Sequence, residues 1–373
     1  MGSIDGLRGY LALSVLLHHF IMWTLATRLG RPWGGTDINL VNQFGAAAVG
    51  LFFMITGLLF YPTIRRGLFR GNWLRLYIRR AFRILPMVAV SVVLVTAVIV
   101  LRTGHGLDAN YASGALKWIT AKQEVDLLGY PNSGRINGYV LWSLHYEWLF
   151  YLLVIPLCAT AMEFRGRLPT WSIPLGLLVV AIVLRAAAPR MSMFIPLFSV
   201  GMLAYELQER QAIREVLQTP AAAALALAAL AAGMILFRTP YEAALPLFAF
   251  FFACVAAGNS FFGVLALRPS LVLGECSYGI YLVHAIFLSI LFVDCRALLD
   301  RVPTIALPAL LPGVAVVVVL VTSCTYVAVE RPAIALGAAV ATFAERQAAR
   351  LPGRKAGALA SERRLGQPRD GTA

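Results

Sequence analysis

The sequence predicts an all-α, polytopic integral membrane protein with about ten transmembrane helices and both termini in the cytoplasm. Three observations predict it. Of 373 residues, 60% are hydrophobic and 13% charged, far from the balance of a soluble domain. Apolar runs long enough to span a hydrocarbon core of about 30 Å recur along nearly the whole chain. The basic residues gather between those runs, where topology explains them.

The runs cover 10–29, 44–62, 84–101, 139–162, 173–188, 192–207, 220–236, 241–262, 271–293 and 305–328. The first is longer than the apolar stretch of a secretory leader and carries two histidines, so it is expected to stay as a helix. Between the second and third, Arg65, Arg66, Arg70, Arg75, Arg79, Arg80 and Arg83 crowd one linker; Arg165 and Arg167 follow the fourth. Excess arginine marks both linkers as cytoplasmic, and an even number of spans then puts both termini inside. The stretch 102–138 between them faces outside and mixes Arg102, Lys117, Lys122 and Arg135 with Asp108, Glu124 and Asp126. The fifth and sixth runs are short, and the last four close the bundle.

One membrane domain over 1–340 is the expected organisation. The remainder, 341–373, is rich in Arg, Ala, Gly and Pro without apolar periodicity and reads as a disordered basic cytoplasmic tail. A net charge of +14 does not signal nucleic acid here, because the cations sit in linkers and tail. The partner it implies is the lipid bilayer. The five cysteines show no CxxC spacing, so neither a disulfide framework nor a metal site is expected.

Within this apolar background the ionisable residues at bilayer depth mark where chemistry belongs. Arg8 and His19 stand eleven residues apart on the first helix. Eleven steps of about 100° close to within roughly 20° of three turns, with a rise of about 16 Å, so both lie on one stripe. His18 points about 80° away from Arg8 on the same reckoning. Glu147, in WSLHYEWLFYL, falls about 12 Å into the fourth span, near the depth of His19, with Ser143 and Tyr151 on its face. A structural ion pair is the plainer reading of Glu147. In the ninth span Ser277, Tyr281 and His284 share a face, and His284 reads equally well as a packing residue. Arg75, Arg79 and Arg83 repeat at four-residue intervals among Trp73, Leu74, Tyr77 and Ile78, an amphipathic pattern at the inner surface. That pattern suits either a topology anchor on anionic lipid or a rim that binds phosphates.

Six segments in order resemble the membrane-bound acyltransferase family 3. They are IDGLRGYLALSVLLHH from Ile4, LFFMITGLLF from Leu51, RRAFRILP from Arg79, WSLHYEWLFYL from Trp142, LGECSYGIYLVH from Leu273 and VERP from Val329. Thr56 stands where the family usually shows serine, and this polypeptide carries no hydrolase-like domain of the kind some relatives append. The resemblance implies a membrane O-acyltransferase of the acyl-CoA-dependent class. It would move an acyl group, often acetyl, from cytoplasmic acyl-CoA to a hydroxyl of a glycan such as an exopolysaccharide, O-antigen or lipo-oligosaccharide. A macrolide-like small molecule is the alternative acceptor. Acyl-CoA is then a co-substrate, with no permanently bound cofactor.

By the same resemblance Arg8 and His19 are the essential pair. The expected catalytic set is His19, Glu147 and Arg8, with Glu147 orienting or charging His19. Arg8, Arg79, Arg80, Arg83, Ser143, Tyr281 and His284 are expected to bind substrate. A transporter or flippase of a surface glycan or lipid is the rival class, since midplane polar residues also suit a pathway. Of 32 basic residues only Lys117, Lys122 and Lys355 are lysine, which with abundant alanine suggests a GC-rich bacterial genome. The expected location is the bacterial inner membrane.

Overall fold

The computed structural model describes residues 2–350 apart from 123 and 188. Fifteen α-helices organise them: α1 (Gly2–Arg28), α2 (Asn39–Arg65), α3 (Trp73–Thr103), α4 (Tyr111–Ile119), α5 (Trp142–Leu149), α6 (Ile155–Phe164), α7 (Ser172–Val183), α8 (Pro189–Gln208), α9 (Gln211–Leu217), α10 (Pro220–Leu236), α11 (Leu245–Ala256), α12 (Arg268–Ser289), α13 (Arg296–Leu299), α14 (Leu311–Thr325) and α15 (Arg331–Arg350). No strand occurs among the described residues. Local sequence sets several boundaries. Asn72 caps α3 by accepting the Arg75 backbone N–H, and Thr219 caps α10 ahead of Pro220 at its first turn.

Every predicted apolar run falls on helix, and the protein is a multi-pass membrane protein. Six helical segments are long and apolar enough to cross, or seven if the pair Gln211–Leu217 and Pro220–Leu236, bent by 68°, makes one span. The expected count of about ten exceeds this. The reason is visible at α7 and α11, of 12 residues each. A helix that long rises about 18 Å, short of a core of about 30 Å. Helix continues through α15 to Arg350, ten residues past the predicted domain boundary at 340; the rest of the expected tail, 351–373, lies outside the described residues.

Three spans are widened by a π-type turn, at Phe150–Val154, Ile290–Asp294 and Tyr326–Glu330. The first joins α5 to α6, the second extends α12 and the third joins α14 to α15. Such bulges re-aim the side chains around them. Large apolar side chains point outward along α7 and α14, for example Val183 at 72% exposure and Leu320 at 61%, the surface a hydrocarbon core covers.

At the centre lie α1, α2, α8 and α12. α1 and α12 approach closely because their contact faces are small. A Cβ on Gly9 would stand 2.5 Å from the Leu273 Cβ, and one on Gly274 would collide with the Asp5 carbonyl. Small residues let helix backbones meet in just this way. Gly9 and Gly274 are 265 positions apart, as are His19 and His284, which touch ten residues further along. A constant offset means that α1 and α12 run parallel in one register.

Candidate active site

His19 and His284 form the centre. His284 Nδ1 lies 2.9 Å from the Ile280 carbonyl and its Nε2 lies 2.9 Å from His19 Nδ1. His19 Nδ1 is also 3.1 Å from the Val15 carbonyl. A carbonyl only accepts, so His284 carries its proton on Nδ1 when neutral. Its Nε2 lone pair then accepts the His19 Nδ1–H, which is shared with Val15. That arrangement satisfies the Ile280 and Val15 carbonyls, while the Gly138 carbonyl also stands within hydrogen-bonding reach of the His19 ring. In that neutral form His19 Nε2 carries the lone pair, on the side of the ring where Gly138 sits.

The surroundings hold that ring in place. Trp33 stacks on it at 6.3 Å between centroids, and the Arg135 guanidinium lies 4.7 Å from the Trp33 ring and 4.9 Å from Trp23. On the Nε2 side sits Gly138, at φ +71; a Cβ there would stand 3.1 Å from His19 Nε2. The outer segment is clipped shut by Glu124, whose Oε1 accepts the Leu141 backbone N–H at 2.9 Å while Oε2 is buried without a partner among the described residues. Burial pushes the Glu124 carboxyl up to about 8.

Seven of the nine predicted site residues line one cavity of about 560 Å³: Arg8, Arg79, Arg80, Arg83, Ser143, Glu147 and Tyr281. Arg66, Arg75 and Thr56 join them. Among the described residues Arg8, Arg79 and Arg83 have no carboxylate within 4.0 Å, whereas Arg75 meets Glu345 at 3.5 Å. Arg80 lies 4.2 Å above the Phe60 ring. Tyr151 donates to Glu147. The amphipathic arginines thus line one partly open space together with Arg8 and Arg80.

The remaining two, His19 and His284, lie outside that cavity. His19 instead lines a second one, of about 310 Å³, at the opposite end of α1 and α2. Tyr281 and Val49 line both. The Tyr281 hydroxyl is 2.8 Å from Ser143 Oγ and 2.9 Å from the Val140 carbonyl, and Ser143 Oγ is 3.2 Å from the same carbonyl. This closed triangle forms a thin partition between the two spaces.

No hydrogen bond joins Glu147 to His19 among the described residues; depth matched, but the face of α5 that carries Glu147 turns to the arginine cavity. His284, expected to bind substrate and equally readable as a packing residue, is in direct contact with His19. His18, about 80° from Arg8 around the helix, lines the second cavity together with His19. Sequence reasoning missed Trp142, Arg238 and Tyr241 in the same wall. Trp142 opens a recognised motif, but Arg238 and Tyr241 sit in a connection with no periodic signal.

The family model described as an acyltransferase domain, of the acyltransferase 3 type, matches residues 1–329 of the chain. No curated protein and no solved structure matches it. The match covers the histidine pair and every residue that lines the two cavities except Ile334, and on it the chain belongs to the membrane acyltransferase 3 family.

Proposed function

We propose that the protein transfers an acyl group from cytoplasmic acyl-CoA to a hydroxyl of a surface glycan, with His19 as general base. The observation that supports this reading is the contact between His19 and His284 on one side of the Tyr281 partition, with a cavity lined by arginines on the other. CoA is a polyanion with a long thin arm. Arg8, Arg79, Arg80 and Arg83 suit its phosphates, and the arm reaches inward towards Tyr281.

The step balances simply. His19 Nε2 takes the proton of the acceptor hydroxyl while its oxygen attacks the thioester carbon. The tetrahedral intermediate collapses, the C–S bond breaks, and the CoA sulfur leaves with the proton returned from His19. Ser143 or Tyr281 hydroxyl protons can turn to the developing oxyanion at the partition. Glu147 balances the arginine charge in the donor cavity and does not charge His19. A variant route acylates His19 Nε2 first and passes the group to an acceptor afterwards.

The wider reading follows. Both termini and the arginine cavity face the cytoplasm of a bacterial inner membrane, and the short helices α7 and α11 complete about ten crossings as paired or tilted segments. The test is acyl-CoA turnover by the purified full chain in lipid nanodiscs, read as free CoA. Turnover that survives unchanged in His19→Ala rejects His19 as base. Labelled acyl-enzyme trapped without acceptor, and lost in His19→Ala, selects the two-step route. The two cavities meeting at Tyr281 also suit a transport path; acceptor flux without CoA release favours it.

A further inference from the structure

We infer that the second cavity is the acceptor site and that it takes a sugar ring bearing a carboxylate, with Arg238 reading the charge. The inference rests on the proposed function, since it names the acceptor for the same base. His19 lines this space and not the arginine cavity, so a ligand that enters here meets the His19 ring. A volume of about 310 Å³ lies at the lower end for small-molecule sites and suits one ring more than a lipid chain or a folded partner.

The wall chemistry is that of a hydroxylated ring. Trp142 and Tyr241 supply aromatic faces, and His18 supplies a second acceptor. Its Nδ1 lies 2.8 Å from the Val41 carbonyl and so carries the proton, leaving Nε2 as a lone pair. Tyr241 Oη and the Trp142 indole N–H have no partner among the described residues and remain as donors.

Charge then selects within that class. No acidic side chain lines the cavity, and Arg238 is its only formal charge among the described residues. The neighbouring Glu242 is held by Arg185. The backbone that carries Arg238 is pinned to the start of α2: Gln43 Nε2 donates to the Gly233 and Phe237 carbonyls at 3.3 and 2.9 Å, and Asn39 Nδ2 donates to Ile235 at 3.1 Å. An exposed guanidinium on a pinned backbone, with no carboxylate within ion-pair distance among the described residues and lining a ring-sized pocket, matches a substrate carboxylate in a two-pronged bond.

The experiment compares methyl glucuronoside with methyl glucoside on the full chain in nanodiscs, by saturable binding and by acetyl-CoA turnover. The expected result is binding of the glucuronoside at least about tenfold tighter. That preference disappears in Arg238→Gln and partly returns in Arg238→Lys. Equal binding of the two, no saturable glucuronoside binding, or a preference unchanged in Arg238→Gln overturns the inference. Turnover separates the two levels. Acetyl-CoA cleavage without the preference removes this acceptor class alone, whereas the preference without any cleavage keeps the pocket and removes the acyltransfer reading.

Discussion

His284 Nε2 stands 2.9 Å from His19 Nδ1, so α1 and α12 bring the two rings into direct contact. The Ile280 carbonyl sets the His284 proton on its far nitrogen when that ring is neutral, the Val15 carbonyl lies 3.1 Å from His19 Nδ1, and the Gly138 carbonyl also reaches the His19 ring. Backbone carbonyls from two parallel helices and one loop therefore surround the histidine pair, with no carboxylate in hydrogen-bond contact among the described residues.

Removing His284 should slow chemistry without touching donor binding. In His284→Ala the His19 ring loses one partner and its tautomer preference, a loss of about 1–1.5 kcal/mol, or roughly tenfold in kcat. KM for acyl-CoA should not change. His19→Ala should cost about 10²–10⁴ in kcat. Steady-state kinetics on both variants checks the ranking, and a His284→Ala enzyme as weak as His19→Ala would make His284 a reacting group itself.

Gly138→Ala should damage catalysis more than the fold. Gly138 has φ +71, and a Cβ there would stand 2.9 Å from Ala285 Cβ and 3.1 Å from His19 Nε2. The left-handed backbone costs an alanine about 1–2 kcal/mol, and the methyl occupies the space in front of the basic nitrogen. The expected outcome is at least about a tenfold fall in kcat with helical content by circular dichroism unchanged.

The fold class and the Arg8–His19 stripe were legible because both depend on periodicity within one segment. Partnership was not. His284 meets His19 across 265 positions only because Gly9 and Gly274 set α1 and α12 in one register, and no pattern inside either helix announces that. Depth arithmetic put Glu147 level with His19 but gave no angle between helices, so the facing of Glu147 was unreadable. Hydropathy likewise finds α7 and α11 but not the turns that end them after 12 residues. Arg238 lies in a loop, where sequence carries no period at all.

Disturbing the α1–α12 register should therefore separate the histidines. Gly274→Val places a branched side chain against the Asp5 carbonyl, an overpacking that costs typically 1–3 kcal/mol. A lowered thermal midpoint and loss of turnover should go together. Gly313→Val on α14, where a Cβ meets nothing within 4 Å, should leave both nearly unchanged.

The outer segment should loosen as pH rises. The Glu124 carboxyl is raised from 4.5 to about 8 by burial, so the folded state holds its proton more tightly than the unfolded chain does. Its stabilising effect is full below about 4.5 and is lost as pH rises through about 8. Asp126 and Tyr139 lie on the same segment and the Arg135 charge opposes them. Amide protection at 124–141, corrected for intrinsic base-catalysed exchange, should fall in the wild type between about pH 4.5 and 8. Glu124→Gln should flatten that fall, and an equally steep fall in the variant would assign it to another group.

The arginine cavity makes the sharpest prediction about the donor. Arg8, Arg79 and Arg83 face it without a carboxylate within ion-pair distance among the described residues, so anionic oxygens of a ligand are what would satisfy them. A charge-assisted hydrogen bond contributes about 1.5–3 kcal/mol, so Arg83→Gln should raise KM for acetyl-CoA roughly tenfold to a hundredfold with kcat little changed. Salt should weaken donor binding in the wild type and less so in the variant, since screening acts on the interaction already removed. Dephospho-acetyl-CoA, which lacks one phosphate, tells the arginines apart: the residue whose glutamine variant no longer distinguishes the two donors is the one that holds that phosphate. If every variant keeps the wild-type ratio, the phosphate lies outside the cavity and Arg8, Arg79 and Arg83 serve the thioester arm or the bilayer instead.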